Sequence, residues 1–199
     1  MGLKRTSYSE VSRGTPSEGI FTHMQPAVFI DRDDTLIANA GDLGDPAEVV
    51  LLDGASEAVT RLHEAGYLLV VVTNQGGVAR GRYGENDVVA VHGRVHELLG
   101  AALPISFFFC PFHPRGTVER YTREHPWRKP APGMLLEAAE RLPIDLSRSW
   151  MIGDQERDAE AGRAAGCRTI LLGRSAHDAV DFEARDITHA VEILLKEDA

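Results

Sequence analysis

The stretch AVFIDRDDT, residues 27–35, decides the fold class of this sequence. Four consecutive apolar residues predict a short strand that is buried on both faces, because a half-exposed strand would alternate apolar and polar residues. The run stops at a cluster of carboxylates, which predicts a polar loop at the carboxyl end of the strand. In open parallel sheets, ligands bind at this end. Asp31 and Asp33 are therefore the first candidates for a functional site.

Beyond this stretch, helical and strand patterns alternate along the chain. The predicted elements are helix 55–65, strand 67–72, helix 85–99, strand 105–109, helix 133–141, strand 150–152, helix 158–165 and strand 169–172. Because each strand is a continuous apolar run, the alternation predicts a three-layer, Rossmann-like α/β fold with a mostly parallel central sheet. We expect one domain over residues 25–199, preceded by a flexible tail over residues 1–24.

The composition is acidic and excludes several classes of partner. The 199 residues carry a formal net charge of −9 without a run of Lys and Arg, which argues against nucleic acid and anionic membrane surfaces. No apolar run approaches the roughly 20 residues of a membrane-spanning helix, and a secretory signal is not recognisable. Cys110 and Cys167 do not resemble a disulfide framework. We expect a cytoplasmic protein that binds anionic ligands through local charges.

Three further segments place polar side chains directly after a predicted strand or before a predicted helix: Thr73 and Asn74, Arg128 and Lys129, and Asp154 and Asp158. Taken alone, each segment also fits a structural role as a turn, an exposed pair of cations or a helix cap. Parallel strands would nevertheless gather these loops at one edge of the sheet.

Gathered there, these residue types supply what phosphoryl transfer needs. Asp31 and Asp33 are two residues apart, so in extended backbone both face the site while Arg32 points away. One carboxylate can attack phosphorus while the other protonates the leaving oxygen and then activates water. Lys129 can stabilise the phosphoryl charge, and Asp154 and Asp158 offer the carboxylate oxygens that Mg²⁺ prefers.

Taken in order, these segments resemble the motifs of the haloacid dehalogenase superfamily. Within it, they are most similar to the branch that contains the heptose bisphosphate and histidinol-phosphate phosphatases. The resemblance covers nearly everything from residue 27 to residue 173 and is carried by DRD at 31–33, TNQGGVARG at 73–81, RKPAPGM at 128–134 and GD at 153–154. It implies a phosphatase with a haloacid dehalogenase-like fold and no large cap domain.

The resemblance also implies a role for each site residue. Asp31 is the nucleophile that becomes an aspartyl phosphate, and Asp33 is the general acid and base. Thr73 and Lys129 hold the phosphoryl group. Mg²⁺ is bound by the Asp31 carboxylate, the Asp33 backbone carbonyl and Asp154, and Asp158 supports that site. Asn74 and Arg128 contact the substrate.

The sequence departs from this branch at the loop that binds zinc in its members. At the four ligand positions this chain has Cys110, Phe112, His125 and Trp127. Structural zinc is held by four N or S ligands. The two aromatic replacements predict that zinc is not bound, unless His113 shifts into the ligand set. Packing of Phe112 and Trp127 is then expected to hold the loop.

The implied function is Mg²⁺-dependent hydrolysis of a small phosphorylated metabolite, foremost heptose 1,7-bisphosphate, by a monomeric enzyme. Asp34, Gln155 and residues 39–46 depart from the branch and leave the substrate open. Histidinol phosphate is an alternative with the same chemistry, whereas the net charge argues against a nucleic-acid 3′-phosphate. A phosphate-binding protein without turnover is the alternative from another class.

Overall fold

The computed structural model describes residues 23–39 and 41–199, so the predicted tail over residues 1–24 lies almost entirely outside the described residues. The helices and strands are β1 (Ala27–Ile30), α1 (Ala55–Glu64), β2 (Leu68–Asn74), α2 (Glu85–Gly100), β3 (Ile105–Cys110), α3 (Gly133–Arg141), β4 (Trp150–Gly153), α4 (Glu156–Ala165), β5 (Arg168–Leu172), β6 (Phe182–Ala184) and α5 (Ile187–Glu197). The six strands form one sheet in the order β3-β2-β1-β4-β5-β6, and every neighbouring pair is parallel.

Alternate residues of β1 face two separate apolar cores. Val28 and Ile30 pack into a core with α1, α2 and α5, whereas Ala27 and Phe29 pack into a core with α3 and α4. Successive side chains of a strand point to opposite faces. A strand covered on both faces therefore needs apolar residues at every position. The predicted three-layer α/β fold is confirmed, and all of its described strands are parallel.

The sheet and the outer layer each contain one element beyond the predicted ones, β6 and α5. In β6 only Ala184 is fully buried, so this strand lacks the apolar run that identifies the central strands. Helix α5 begins after Asp186, whose carboxylate accepts a hydrogen bond from the His189 N–H at 2.8 Å. Its buried residues recur at helical spacing, a signal present in the sequence. None of the described helices combines the length and apolar character needed to cross a bilayer.

Two longer connections leave the carboxyl edge of the sheet, over residues 31–54 and 111–132. Their described parts contain single turns of 3-10 helix at Pro46–Glu48 and Glu119–Tyr121. Both are too short to form a separate domain. The described chain thus carries no large cap domain, as predicted, and this edge of the sheet is covered only by loops.

Close approach of α4 to the sheet at Gly162 gives a test of the packing. A Cβ atom at Gly162 would lie 2.5 Å from Met151 Cβ and 3.0 Å from Thr169 Cγ2. Gly162→Ala should therefore lower the free energy of unfolding by about 1–3 kcal/mol in urea denaturation. At Gly93 in α2 an added Cβ meets no atom within 4 Å, so the control Gly93→Ala should be stabilising by up to about 1 kcal/mol. Equal stability of the two variants would contradict this packing.

Candidate active site

Strands β2, β1 and β4 are neighbours and end at the same edge of the sheet, where their loops surround one pocket. Asp31 follows β1, Thr73 and Asn74 end β2, and Asp154 follows β4. The structure thus brings the sequence-predicted residues together. Those that line the pocket are Asp31, Asp33, Thr73, Asn74, Arg128, Lys129 and Asp154. The remaining one, Asp158, is fully buried beside them.

The side chain of Lys129 joins three parts of this site. Its Nζ atom donates to Asp31 Oδ1 at 2.7 Å and to the Val72 carbonyl oxygen at 2.8 Å. It also lies 2.7 Å from Asp158 Oδ1. Lys129 is 2% exposed, so the ammonium charge depends on these partners rather than on water. Two carboxylates share one ammonium, which leaves the buried cluster with excess negative charge.

Burial and charge both act on the pKa values in this cluster. The pKa of Asp31 is raised to about 8 as the net result of burial, which raises it, the Lys129 ammonium, which lowers it, and the carboxylates of Asp158 and Asp33, which raise it. For Lys129, burial acts to lower the pKa, but Asp158 and Asp31 outweigh burial and raise it above its ordinary value. A second cation beside Asp31 would lower the pKa of its carboxyl and keep it ionised as a nucleophile.

The amide of Asn74 fixes the backbone of Lys129. Asn74 Oδ1 accepts a hydrogen bond from the Lys129 N–H at 3.0 Å, and Asn74 Nδ2 donates to the Lys129 carbonyl oxygen at 3.0 Å. The sequence predicts that Asn74 contacts substrate. In the structure its amide positions the lysine, because β2 extends two residues beyond its predicted end and carries Asn74 up to the loop of Lys129. The substrate contact stays a prediction.

A second set of hydrogen bonds holds the carboxylate of Asp33. Arg32 Nη2 donates to Asp33 Oδ1 at 3.0 Å, while Thr73 Oγ1 and Gln75 Nε2 donate to Asp33 Oδ2 at 3.0 and 2.8 Å. The hydroxyl of Tyr83 donates to Gln75 Oε1 at 2.7 Å, which orients the Gln75 amide. Asp33 therefore lies at the pocket with its side chain in one defined position.

The side chain of Arg32 does not line the pocket, as expected, but it turns back to contact Asp33. Arg32 is fully buried and pairs with Asp33. Strand alternation does not extend into this loop, because the backbone turns immediately after Asp31. The Leu36 N–H donates to the Arg32 carbonyl oxygen at 3.0 Å, and Asp34 has a φ of 57°.

Sequence reasoning also missed Gln75 and Tyr83 as partners that hold Asp33. The polar residue Gln75 next to the Gly76-Gly77 pair was the available signal for the first. Nothing local marks Tyr83, since its contact with Gln75 depends on the path of the chain after β2.

Three carboxylates offer a place for a metal ion. Within residues 23–39 and 41–199, Asp31, Asp154 and Asp158 form the one cluster of at least three potential ligands, with one oxygen of each within 4.8 Å of the others. Asp154 Oδ1 is buried and has no hydrogen-bond partner, whereas Oδ2 accepts from Gln155 Nε2 at 2.6 Å. A buried carboxylate oxygen without a donor fits a cation ligand. The residues therefore fit a hard divalent cation such as Mg²⁺.

Asp158 lies behind this cluster at the start of α4. Its Oδ2 atom accepts from the Gln155 N–H at 3.0 Å, and its Oδ1 atom contacts Lys129. The ion pair with Lys129 fits the expectation that Asp158 supports the ligands, and this role stays a prediction.

Aromatic packing holds the loop between β3 and α3. Phe112 stacks on His125 with ring centroids 4.1 Å apart and an interplanar angle of 13°. Trp127 meets Phe108 edge-on at 6.5 Å. Cys110 is buried, and burial raises the pKa of its thiol, which disfavours the thiolate that zinc binds. The packing of Phe112 and Trp127 agrees with the expectation for this loop, and the lack of zinc stays a prediction.

Comparison with known proteins places the chain in a family. A family model described as HAD-hydrolase-like matches residues 126–195. A D-glycero-β-D-manno-heptose-1,7-bisphosphate 7-phosphatase from Mesorhizobium japonicum is 43% identical over 150 residues, which cover 74% of this chain and 69% of that protein. A D-glycero-D-manno-heptose-1,7-bisphosphate 7-phosphatase from Thermosynechococcus vestitus is 38% identical over 185 residues, which cover 84% of this chain and 94% of that protein.

A solved structure agrees with the sequence relatives. The D,D-heptose 1,7-bisphosphate phosphatase from B. bronchiseptica, complexed with magnesium and phosphate, matches with a TM-score of 0.74 and 28% identity. The match covers 86% of this chain and 99% of that chain.

The fold and these similarities define the class, and this chain is a HAD-like hydrolase. More particularly, it belongs to the haloacid dehalogenase-like phosphatases, since relatives about 40% identical over most of its length are phosphatases. The protein is therefore a phosphatase, as the sequence motifs predicted.

The contact between Asn74 and Lys129 predicts a specific kinetic change. Asn74→Ala removes both hydrogen bonds to the Lys129 backbone, so kcat should fall by roughly 10- to 100-fold as the ammonium loses its position. Steady-state kinetics on any substrate the enzyme hydrolyses will separate kcat from KM. A rise in KM with kcat unchanged would instead support the direct substrate contact predicted from the sequence.

Proposed function

We propose that this phosphatase uses Mg²⁺ and an aspartyl phosphate at Asp31 to hydrolyse a sugar phosphate, foremost the 7-phosphate of D-glycero-D-manno-heptose 1,7-bisphosphate. The observation that carries the proposal is the buried Asp31–Lys129 pair, 2.7 Å apart, in a polar pocket at the strand ends. The names of the two relatives support the substrate. We expect a monomeric, cytoplasmic enzyme that acts on a small phosphorylated metabolite.

The first half of the reaction transfers the phosphoryl group to the protein. A carboxylate oxygen of Asp31 attacks phosphorus, and the bond between phosphorus and the ester oxygen breaks. Lys129 offsets the charge that spreads over the phosphoryl oxygens. The Thr73 hydroxyl, which donates to Asp33 Oδ2 at 3.0 Å in the structure, would rotate to donate to one of these oxygens. The protonated carboxyl of Asp33 gives its proton to the ester oxygen, so that the sugar leaves as a neutral alcohol.

The second half releases phosphate. Asp33, now a carboxylate, takes a proton from a water molecule as that water attacks phosphorus. The bond between phosphorus and the Asp31 oxygen breaks, which restores the Asp31 carboxylate and frees inorganic phosphate. Gln75 and Arg32 keep Asp33 at the pocket between these steps, through hydrogen bonds of 2.8 and 3.0 Å.

The residues that would hold Mg²⁺ are those of the acidic cluster. Asp31 and Asp154 would contribute carboxylate oxygens, as the unpartnered Asp154 Oδ1 supports. The family pattern adds the Asp33 backbone carbonyl as a ligand and Asp158 as support. When bound, the cation neutralises part of the charge of the carboxylates and of the phosphate. The solved relative is complexed with magnesium and phosphate, which supports Mg²⁺ as the cation.

The substrate and the nucleophile are tested together by phosphate release. The panel contains both anomers of heptose 1,7-bisphosphate, histidinol phosphate, fructose 1,6-bisphosphate and an aryl phosphate, each with Mg²⁺ or with EDTA. We expect rapid, EDTA-sensitive turnover of one heptose anomer, and a loss of roughly a thousandfold or more in kcat for Asp31→Asn. Asp53→Asn, a matched change at an exposed residue outside the pocket, should retain wild-type turnover.

Two results would contradict these assignments in different ways. Undiminished turnover by Asp31→Asn rules out this nucleophile, whereas faster turnover of another compound than of either heptose anomer moves the substrate elsewhere.

The metal site is tested by thermal and denaturant unfolding with and without Mg²⁺. At a Mg²⁺ concentration a hundred times its Kd, the free energy of unfolding should rise by about 2.7 kcal/mol. Asp154→Asn should lose most of this gain because it removes a ligand. Without Mg²⁺ the variant should be no less stable than the wild type, since it also removes like-charge repulsion beside Asp31 and Asp158. An equal gain in Asp154→Asn would contradict the site.

A further inference from the structure

Two side chains from different loops form an ion pair at the pocket. Asp42 lies in the loop after β1, and Arg80 lies in the loop after β2. Arg80 Nε donates to Asp42 Oδ2 at 3.1 Å, and Arg80 Nη2 donates to Asp42 Oδ1. Both residues line the pocket, with side chains 37% exposed for Arg80 and 29% exposed for Asp42. The carboxylate therefore occupies the Nε–Nη2 edge of the Arg80 guanidinium, an edge on which a phosphate could bind in the same bidentate way.

A second guanidinium lies close to the first. A Cβ atom at Gly76 would be 3.0 Å from Arg80 Nη1 and 3.5 Å from Arg128 Nη1, so the two groups converge on one point of the pocket lining. Arg128 forms a hydrogen bond to the Phe112 carbonyl oxygen at 3.3 Å and makes no salt bridge to a carboxylate within residues 23–39 and 41–199. Burial lowers the pKa of Arg128, and the nearby charges of Arg157 and Arg80 lower it further. The guanidinium groups of Arg80 and Arg128 thus lie close together, and the carboxylate of Asp42 pairs with the first of them.

We propose that Asp42 is a specificity-determining residue whose carboxylate occupies the place of the substrate's second anionic group on Arg80. This inference rests on the proposed function, in which the substrate carries two phosphates. A second phosphate would bind Arg80 and Arg128 after displacing Asp42, or would bind next to its negative charge. In either case Asp42 weakens the preference of the enzyme for bisphosphates over monophosphates.

The partly exposed position of the pair makes displacement feasible. Exposed ion pairs between side chains contribute little to stability, whereas a phosphate dianion carries more charge than a carboxylate and accepts the same bidentate hydrogen bonds. A pair that served only to anchor the loop would leave the ratio of bisphosphate to monophosphate turnover unchanged when its carboxylate is neutralised. That ratio therefore separates specificity from simple loop stability.

The experiment measures kcat/KM for a bisphosphate and for the matching monophosphate that shares the hydrolysed group. The pairs are heptose 1,7-bisphosphate with heptose 7-phosphate, and fructose 1,6-bisphosphate with fructose 6-phosphate. Asp42→Asn should raise the bisphosphate-to-monophosphate ratio on the order of threefold to tenfold at low ionic strength, and less in high salt. Glu48→Gln is the control, because it removes the same charge from an exposed residue of the same connection outside the pocket lining. It should leave the ratio unchanged.

A double variant identifies the cation involved. In the double variant Asp42→Asn, Arg80→Gln, the gain in the bisphosphate-to-monophosphate ratio should disappear, because the guanidinium that pairs with Asp42 is no longer present. An unchanged ratio in Asp42→Asn overturns the proposal. A gain that persists in the double variant, or that Glu48→Gln reproduces, also overturns it, because the effect would then not pass through Arg80. Thermal unfolding of each variant confirms that the loop substitutions leave the protein folded.

Failure of this inference is distinguishable from failure of the proposed function. If the wild type does not favour heptose compounds, the substrate assignment fails, and the ratio is still measurable with the fructose pair. If the wild type favours heptose bisphosphate but the ratio does not respond to Asp42→Asn, the substrate assignment stands and the role of Asp42 is rejected.

Discussion

A buried lysine keeps its charge only where carboxylates replace the water that it has lost, and Lys129 has two such partners in Asp31 and Asp158. These partners come from the loop after β1 and from the first turn of α4, while the Val72 carbonyl oxygen of β2 accepts a third contact. One ammonium thus ties together three elements of the sheet edge. Removing Lys129 would leave two carboxylates buried without a cation, so the proposed nucleophile, phosphate contact and metal site depend on one another.

The two carboxylates that we propose as catalytic have separate environments, which fits the separate chemistry proposed for them. Asp31 lies in the buried cluster with Lys129, where burial raises its pKa and cations are needed to keep it ionised. Asp33 is held instead by hydrogen bonds from Arg32, Thr73 and Gln75 at the side of the pocket. This difference supports the proposal that Asp31 attacks phosphorus and that Asp33 exchanges protons with the leaving group and with water.

The loops around this fixed centre are where the protein departs from its relatives' pattern. Stacking of Phe112 on His125 holds the connection that leads to Arg128, so apolar packing stands where the branch has zinc ligands. The ion pair of Asp42 and Arg80 joins the other two loops at the pocket. Because loops tolerate change better than the sheet that carries them, the substrate can differ while the reaction stays the same.

The sequence by itself determined the α/β fold, since continuous apolar runs become buried parallel strands whose ends gather the polar loops, and it also determined which residues would meet there. It did not reveal β6, whose edge position requires little apolar character. Only the tertiary structure decided which of these residues contact one another and through which hydrogen bonds and ion pairs. Asn74 holds the backbone of Lys129 and Arg32 turns back onto Asp33, because both contacts depend on where a strand stops and how the next loop turns. The spacing of residues along the chain indicates which face of a strand each side chain occupies. It does not indicate this in the site, because the site is formed by the loops that follow the strands.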